Sequence, residues 1–212
     1  MMNDTLQHLL ITLPIVILSI TLHEMMHAFT SHWLGDDTAY LQGRVSFNPL
    51  RHIDPIFTIA LPLVLVALGA VPFAVAKPVQ VNFNRLKYDE FGGAIVGMIG
   101  PLTNLVIAII GALAFRLWPP STNLMFEILS YLVVINVGLF IFNSIPWPPL
   151  DGSRLLYALA PRPVQEFMES IERLGMNGLL IFMLIVLTVL SVPLSNVISH
   201  FTNYLLGANV FV

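Results

Sequence analysis

Three ionisable residues crowd one turn of the stretch TLHEMMHAFTSHWLG, positions 21–35: His23, Glu24 and His27. Four residues along an α-helix turn through about 400° and rise about 6 Å, so the two imidazoles share a face and can share one metal ion. Glu24, beside the first of them, is placed to act as general base on a water at that metal. This is the H-E-x-x-H arrangement of zinc peptidases. In a soluble helix five such residues would be weak evidence. Here they lie inside an apolar run long enough to cross a bilayer, where two imidazoles and a carboxylate without a partner are strongly disfavoured.

A catalytic zinc takes a third protein ligand and keeps a fourth position open. The chain has no cysteine, so that ligand is a histidine or a carboxylate. The candidates are His32, Asp36, Asp37, His52, Asp54 and Asp151. His32 lies nine residues beyond His23, about 180° round the helix, and reads as an interfacial residue beside Trp33. Asp36 and Asp37 follow Gly35 and read as a helix stop with solvated charge. His52 and Asp54, in NPLRHIDP, read as turn or cap residues, with Asp54 as the reserve ligand. Asp151 stands apart. It lies in the segment FNSIPWPPLDGSR, at the end of the fourth apolar block, whose three prolines break the helix at membrane depth. Irregular backbone there is tolerated only against protein or a watery cavity. Gly152 follows and allows unusual backbone angles.

Other polar residues lie within apolar blocks. Asn104, in GPLTNL, and Asn136 are expected to make interhelical hydrogen bonds, with Asn104 supporting the site. Asn143, eight residues before Asp151, could donate to an oxyanion or to a substrate backbone. Arg154 falls at the rim as a support for substrate, with a lipid headgroup as its alternative contact.

These residues need elements to carry them. Of 212 residues, 57% are hydrophobic and 10% charged, and the mean hydropathy is +0.84. A soluble domain carries about 25% charge, so the composition implies an integral membrane protein. Neither the net charge of −3 nor any Lys/Arg run suggests nucleic acid. Five apolar blocks cover about 6–34, 53–76, 91–118, 124–145 and 176–206. A span takes about 20 residues, and all but the second qualify easily. The first continues past signal-peptide length without a cleavage site and reads as retained. The second contains Pro55, Pro62 and Pro72.

The fold expected is therefore all-α and polytopic, a single domain of four spanning helices. To these are added a proline-broken, re-entrant or fifth spanning segment and short β-hairpin-like elements near the site. The hairpin signals are YLQGRVSFNP and the alternating Val79, Val81 and Phe83. Residues 163–174 read as an interfacial amphipathic helix. The nine lysines and arginines bear on topology. If 53–76 dips in and returns, all of them except Arg116 fall on one side, which the positive-inside bias makes cytoplasmic. The same arrangement puts His27 and Asp151 on one side of the bilayer.

LHEMMHAF, GPLTN and NSIPWPPLDGSR, in that order across 22–155, resemble the site-2 protease family of intramembrane zinc metalloproteases. GRVSFNPLRHIDPI and AKPVQVN are similar to a compact bacterial branch that lacks a PDZ domain. The resemblance implies one Zn²⁺ held by His23, His27 and Asp151, water activated by Glu24, and Asn143 assisting at the transition state or holding the substrate strand. It implies a multi-pass protein of the bacterial inner membrane, a site toward the cytoplasm, and transmembrane proteins as substrates. Ser153 stands where many relatives carry a second glycine. Two other classes use similar residues: a metal or proton transporter, and an inactive zinc-binding scaffold. A transporter often shows paired repeats, and none is visible. The oligomeric state, substrate and gate are not encoded in any motif.

Overall fold

The computed structural model describes residues 2–52, 77–208, 210 and 211. The first apolar block forms α1, Met2–Trp33. A single helical turn, α2, Thr38–Leu41, follows, and Pro49–Arg51 form a 3₁₀ turn. After a non-helical stretch and a second 3₁₀ turn at Phe83–Arg85 come α3, Asp89–Leu117, and α4, Asn123–Asn143. The proline-rich link leads to α5, Gly152–Leu159, and α6, Arg162–Arg173. The last block forms α7, Met176–Ile185, and α8, Ser191–Leu206. A π-helical segment, Val186–Leu190, joins them. Pro193 has no amide proton to give to the Val189 carbonyl, and the widened turn lies just before it.

Four of these helices are long and apolar enough to cross a membrane: Leu6–Trp33, Asp89–Leu117, Asn123–Asn143 and Leu180–Leu206. Their polarity runs inside out. Ser19, Thr21, His23, His27, Thr30 and Ser31 are buried along α1, while Leu6, Leu10, Leu18 and Phe29 face outward. Between α3 and α4 small residues permit close approach. Ala108 and Ala112 are buried against Val133 and Val137 in a core that Leu206 of α8 completes.

The chain folds back to the end of α1. Lys87 N–H donates to the Leu34 carbonyl at 2.8 Å, and Lys77 N–H to the His52 carbonyl at 3.0 Å. The re-entrant reading of 53–76 falls on residues outside those described. Among the described residues no strand forms, so the hairpin expected in YLQGRVSFNP is replaced by α2, turns and bends. The reason is competing partners. Turns take the backbone groups of this stretch, with Gly43 N–H donating to the Tyr40 carbonyl, Arg44 N–H to the Ala39 carbonyl and Ser46 N–H to the Arg44 carbonyl, while the Arg44 guanidinium ties it to the carbonyls of Arg51, Lys77 and Pro78. The amphipathic helix expected at 163–174 is α6, with Met168 buried and Phe167 exposed.

Candidate metal centre

The α1 ladder places His23 and His27 one above the other, each 6% exposed. Asp151 arrives from the other end of the chain. It occupies the N-cap position of α5, yet its carboxylate caps nothing. Instead Oδ2 stands 3.0 Å from His23 Nε2 and 3.4 Å from His27 Nε2. These three residues offer ligand atoms within 4.8 Å of one another.

The other ring nitrogens are occupied. His27 Nδ1 lies 2.6 Å from the Val96 carbonyl, which can only accept. His23 Nδ1 lies 2.6 Å from Asn104 Oδ1. Neutral imidazoles tied in this way present bare Nε2 lone pairs, and these are 3.0 Å apart. Two lone pairs and a carboxylate oxygen converging without a shared proton repel one another, and a cation among them satisfies all three. The backbone above makes room for it. A Cβ at Gly100 would fall 2.3 Å from His27 Nε2 and 2.7 Å from His23 Nε2, so α3 can cross the site only as glycine. The donor set, two nitrogens and one oxygen, suits zinc.

Glu24 follows His23 on α1 and is held by the returning chain, its Oε2 accepting the Val79 N–H at 3.1 Å. Arg44, 4% exposed, lies on the same side. Burial pulls its pKa below the ordinary value, with the Glu24 carboxylate acting in the opposite sense. Burial likewise holds the His52 imidazole below its ordinary value, against the Ser46 carbonyl and Glu24 and with the help of Arg44. His52 Nε2–H donates to that carbonyl, and Nδ1 has no partner among the described residues.

Other expected residues fall elsewhere. Asn143 donates to the Leu139 carbonyl one turn back, at 2.9 Å. Arg154 pairs with Glu172 at 3.1 Å and lies 4.3 Å over the Phe83 ring. His32 faces away, bonded to Asp37 and stacked on Tyr40. His52 caps the Pro49–Arg51 turn, as read, while Asp54 is outside the described residues. Asn136 makes the expected interhelical bond, to Asn104.

Two readings need correction. Asp36 is not solvated but fully buried. It accepts from Thr38 N–H and Oγ1–H and from Asn82 N–H at 2.7 Å. Gly152 has no unusual backbone angle. It is needed because a Cβ there would strike the Ser144 carbonyl oxygen at 2.3 Å. Sequence reasoning missed Gly100 and Arg44; the glycine beside GPLTN was the available signal for the first.

No family model and no solved structure matches the chain. It is 37% identical over 176 residues to "Putative zinc metalloprotease YwhC" of Bacillus subtilis, covering 79% of this chain and 76% of that one. It is 29% identical over 174 residues to "Putative zinc metalloprotease Rip2" of Mycolicibacterium smegmatis, covering 81% of this chain and 64% of the relative. Rip2 of Mycobacterium tuberculosis is 28% identical over 137 residues, covering 64% of this chain and 52% of that one. With 37% identity over more than two thirds of both chains, the protein belongs to the same family as "Putative zinc metalloprotease YwhC".

Proposed function

We propose that the chain is an intramembrane endopeptidase of the site-2 protease type, cutting peptide bonds in or near transmembrane segments of protein substrates. The observation that carries this reading is the position of the candidate metal centre. His23 and His27 lie on a helix long and apolar enough to cross a membrane, and Asp151, eight residues past the end of another such helix at Asn143, converges with them.

His23, His27 and Asp151 would hold the zinc. Bound there, zinc supplies a Lewis acid for the scissile carbonyl and a lowered pKa for water. Glu24 takes the proton from that water and passes it to the leaving amine. The Val79 N–H fixes one Glu24 oxygen and leaves the other for the reaction. Asn104 orients His23. Asn143 would donate to negative charge developing on the carbonyl oxygen once its amide leaves the Leu139 carbonyl, to which it donates at 2.9 Å. Arg154, held between Phe83 and Glu172, supports the extended segment beside the site.

A helical substrate must unwind before its amides can be reached. The stretch after Val79 offers it a template, because neither Gln80 nor Val81 has a backbone hydrogen bond among the described residues. An unwound substrate strand can pair there by strand addition. The charge bias makes the site cytoplasmic, in a bacterial inner membrane.

The test uses purified protein in lipid vesicles with a single-span substrate, comparing wild type with Glu24→Gln. The variant should keep its zinc and its fold while cleavage falls about 10²–10⁴-fold. A transporter or a scaffold has no task for Glu24, so wild-type-like zinc flux without cleavage in either protein would overturn the proposal.

A further inference from the structure

We infer that Asn136 is a positioning residue for the metal centre, fixing the tautomer of His23 through the side chain of Asn104. The inference rests on the metal reading of the site and extends it to a residue that touches no ligand atom.

The argument follows donors and acceptors across three helices. Ser19, Asn104 and Asn136 are each 0% exposed, so water cannot substitute for a missing partner. Asn136 Nδ2 lies 2.9 Å from the Leu132 carbonyl and 2.9 Å from Ser19 Oγ. A backbone carbonyl cannot donate, so the amide nitrogen of Asn136 must face it. Its Oδ1 therefore faces Asn104 and accepts from Asn104 Nδ2 at 2.9 Å. A longer contact of 3.5 Å, from Asn104 Nδ2 to the Ser19 carbonyl, acts in the same sense. With its nitrogen so engaged, Asn104 must turn Oδ1 toward His23 Nδ1, 2.6 Å away. An oxygen can only accept from that nitrogen, so the proton sits on Nδ1 and Nε2 is left bare.

The alternative is plain. If the Asn104 amide flipped, its NH₂ would donate to Nδ1, the ring proton would move to Nε2, and His23 could no longer bind a metal without first changing tautomer. Nothing in Asn104 alone prefers one orientation over the other. His27 needs no such relay, because the Val96 carbonyl sets its tautomer directly. The Leu132 carbonyl performs that service for His23 at a distance, through two amides. Outer-shell partners of ligating histidines are worth about 10–100-fold in metal affinity.

The experiment measures zinc affinity by chelator competition. It also reads the His23 tautomer in the metal-free protein from ¹⁵N imidazole shifts, for wild type, Asn136→Leu, Ser19→Ala and the double variant Asn104→Asp/Asn136→Leu. Wild type should show the Nδ1–H form. Asn136→Leu should show a mixture and bind zinc about 10-fold more weakly, with Ser19→Ala between them. In the double variant the carboxylate can only accept from Nδ1, so tautomer and affinity should return toward wild type. That rescue separates positioning from general loss of packing, and the gentler Ser19→Ala serves if Asn136→Leu does not fold. Unchanged tautomer and affinity in Asn136→Leu would overturn the inference, as would a weakened Asn136→Leu that Asn104→Asp fails to restore. A wild type that binds no zinc would instead overturn the metal reading itself.

Discussion

Individual residues make the site by what they omit as much as by what they offer. Gly100 contributes no atom beyond backbone, yet a methyl group there would come within 2.7 Å of the Nε2 atoms of both His23 and His27. Close-packed interiors do not absorb such an overlap without a shift. Gly100→Ala should therefore abolish stoichiometric zinc binding, lowering affinity by about 100-fold or more, while α3 keeps its helicity. Zinc content by atomic absorption, beside far-ultraviolet circular dichroism, checks this. The convergence of His23 and His27 was legible in the sequence because four residues of helix fix their relation covalently. Asp151 was legible because the prolines before it exclude a helix. Gly100 was not, since its importance arises only when α3 is laid against α1. The burial of Asp36 was hidden for a similar reason: Asn82 supplies its partner from 46 residues away, and no local pattern announces that.

At the scale of elements, four of the five apolar blocks coincide with helices long and apolar enough to cross a membrane, since hydropathy is a sum over neighbours, while 53–76 lies outside the described residues. The hairpin-like signals in 40–49 and at Val79, Val81 and Phe83 form no strand among the described residues, because β-propensity says nothing of what else can satisfy the backbone. Here side chains do so. Arg44 holds the Lys77 and Pro78 carbonyls, Glu24 the Val79 N–H, and Asp36 the Asn82 N–H. The segment is thus stretched between three anchors and unpaired at its middle. Val81→Pro removes one free amide and should impair cleavage of a membrane substrate by about 10-fold or more, with zinc content unchanged, if strand addition operates there. Equal cleavage by a folded Val81→Pro would remove that step. The Asp36 anchor also makes stability depend on pH. Burial alone would raise its pKa, but the Thr38 and Asn82 hydrogen bonds and the nearby Arg85 charge outweigh burial and hold it below the ordinary value. A depressed folded pKa means that the stabilisation is complete above the unfolded value of about 3.9 and is lost as pH falls through the folded one. Asp36→Asn should cost about 1.5–3 kcal/mol at neutral pH. It should also flatten the acid limb of the denaturation curve below about pH 4, measured by thermal unfolding in detergent.

The whole molecule is organised by which end of the bundle each element reaches. Contacts at one end gather the close of α1, the start of α3, the end of α4 and the two short helices α5 and α6. Lys87 reaches Leu34 there, and Asp151 reaches His27. Contacts at the other end gather the start of α1, the α3–α4 link and the end of α8. Gln7 bonds Glu127, Tyr131 bonds His8, and Arg116 donates to the Tyr204 carbonyl at 2.5 Å. Arg44, Arg51, Lys77, Arg85, Lys87, Arg154, Arg162 and Arg173 all belong to segments at the first end, and Arg116 to the second. That eight-to-one division is the strongest argument the chain offers for a cytoplasmic site, because short loops rich in Lys and Arg stay on the cytoplasmic side. It also gives a direct test. The sequence has no cysteine, so a single introduced thiol is the only target for a maleimide. Ser121, in the α3–α4 link, and Glu166, on α6, are both exposed. In intact bacterial spheroplasts a membrane-impermeant maleimide should label Ser121→Cys and leave Glu166→Cys unlabelled until the cells are broken. The opposite pattern would turn the bundle over and place the candidate metal centre on the outer side, where the substrate would have to be engaged from beyond the cytoplasm.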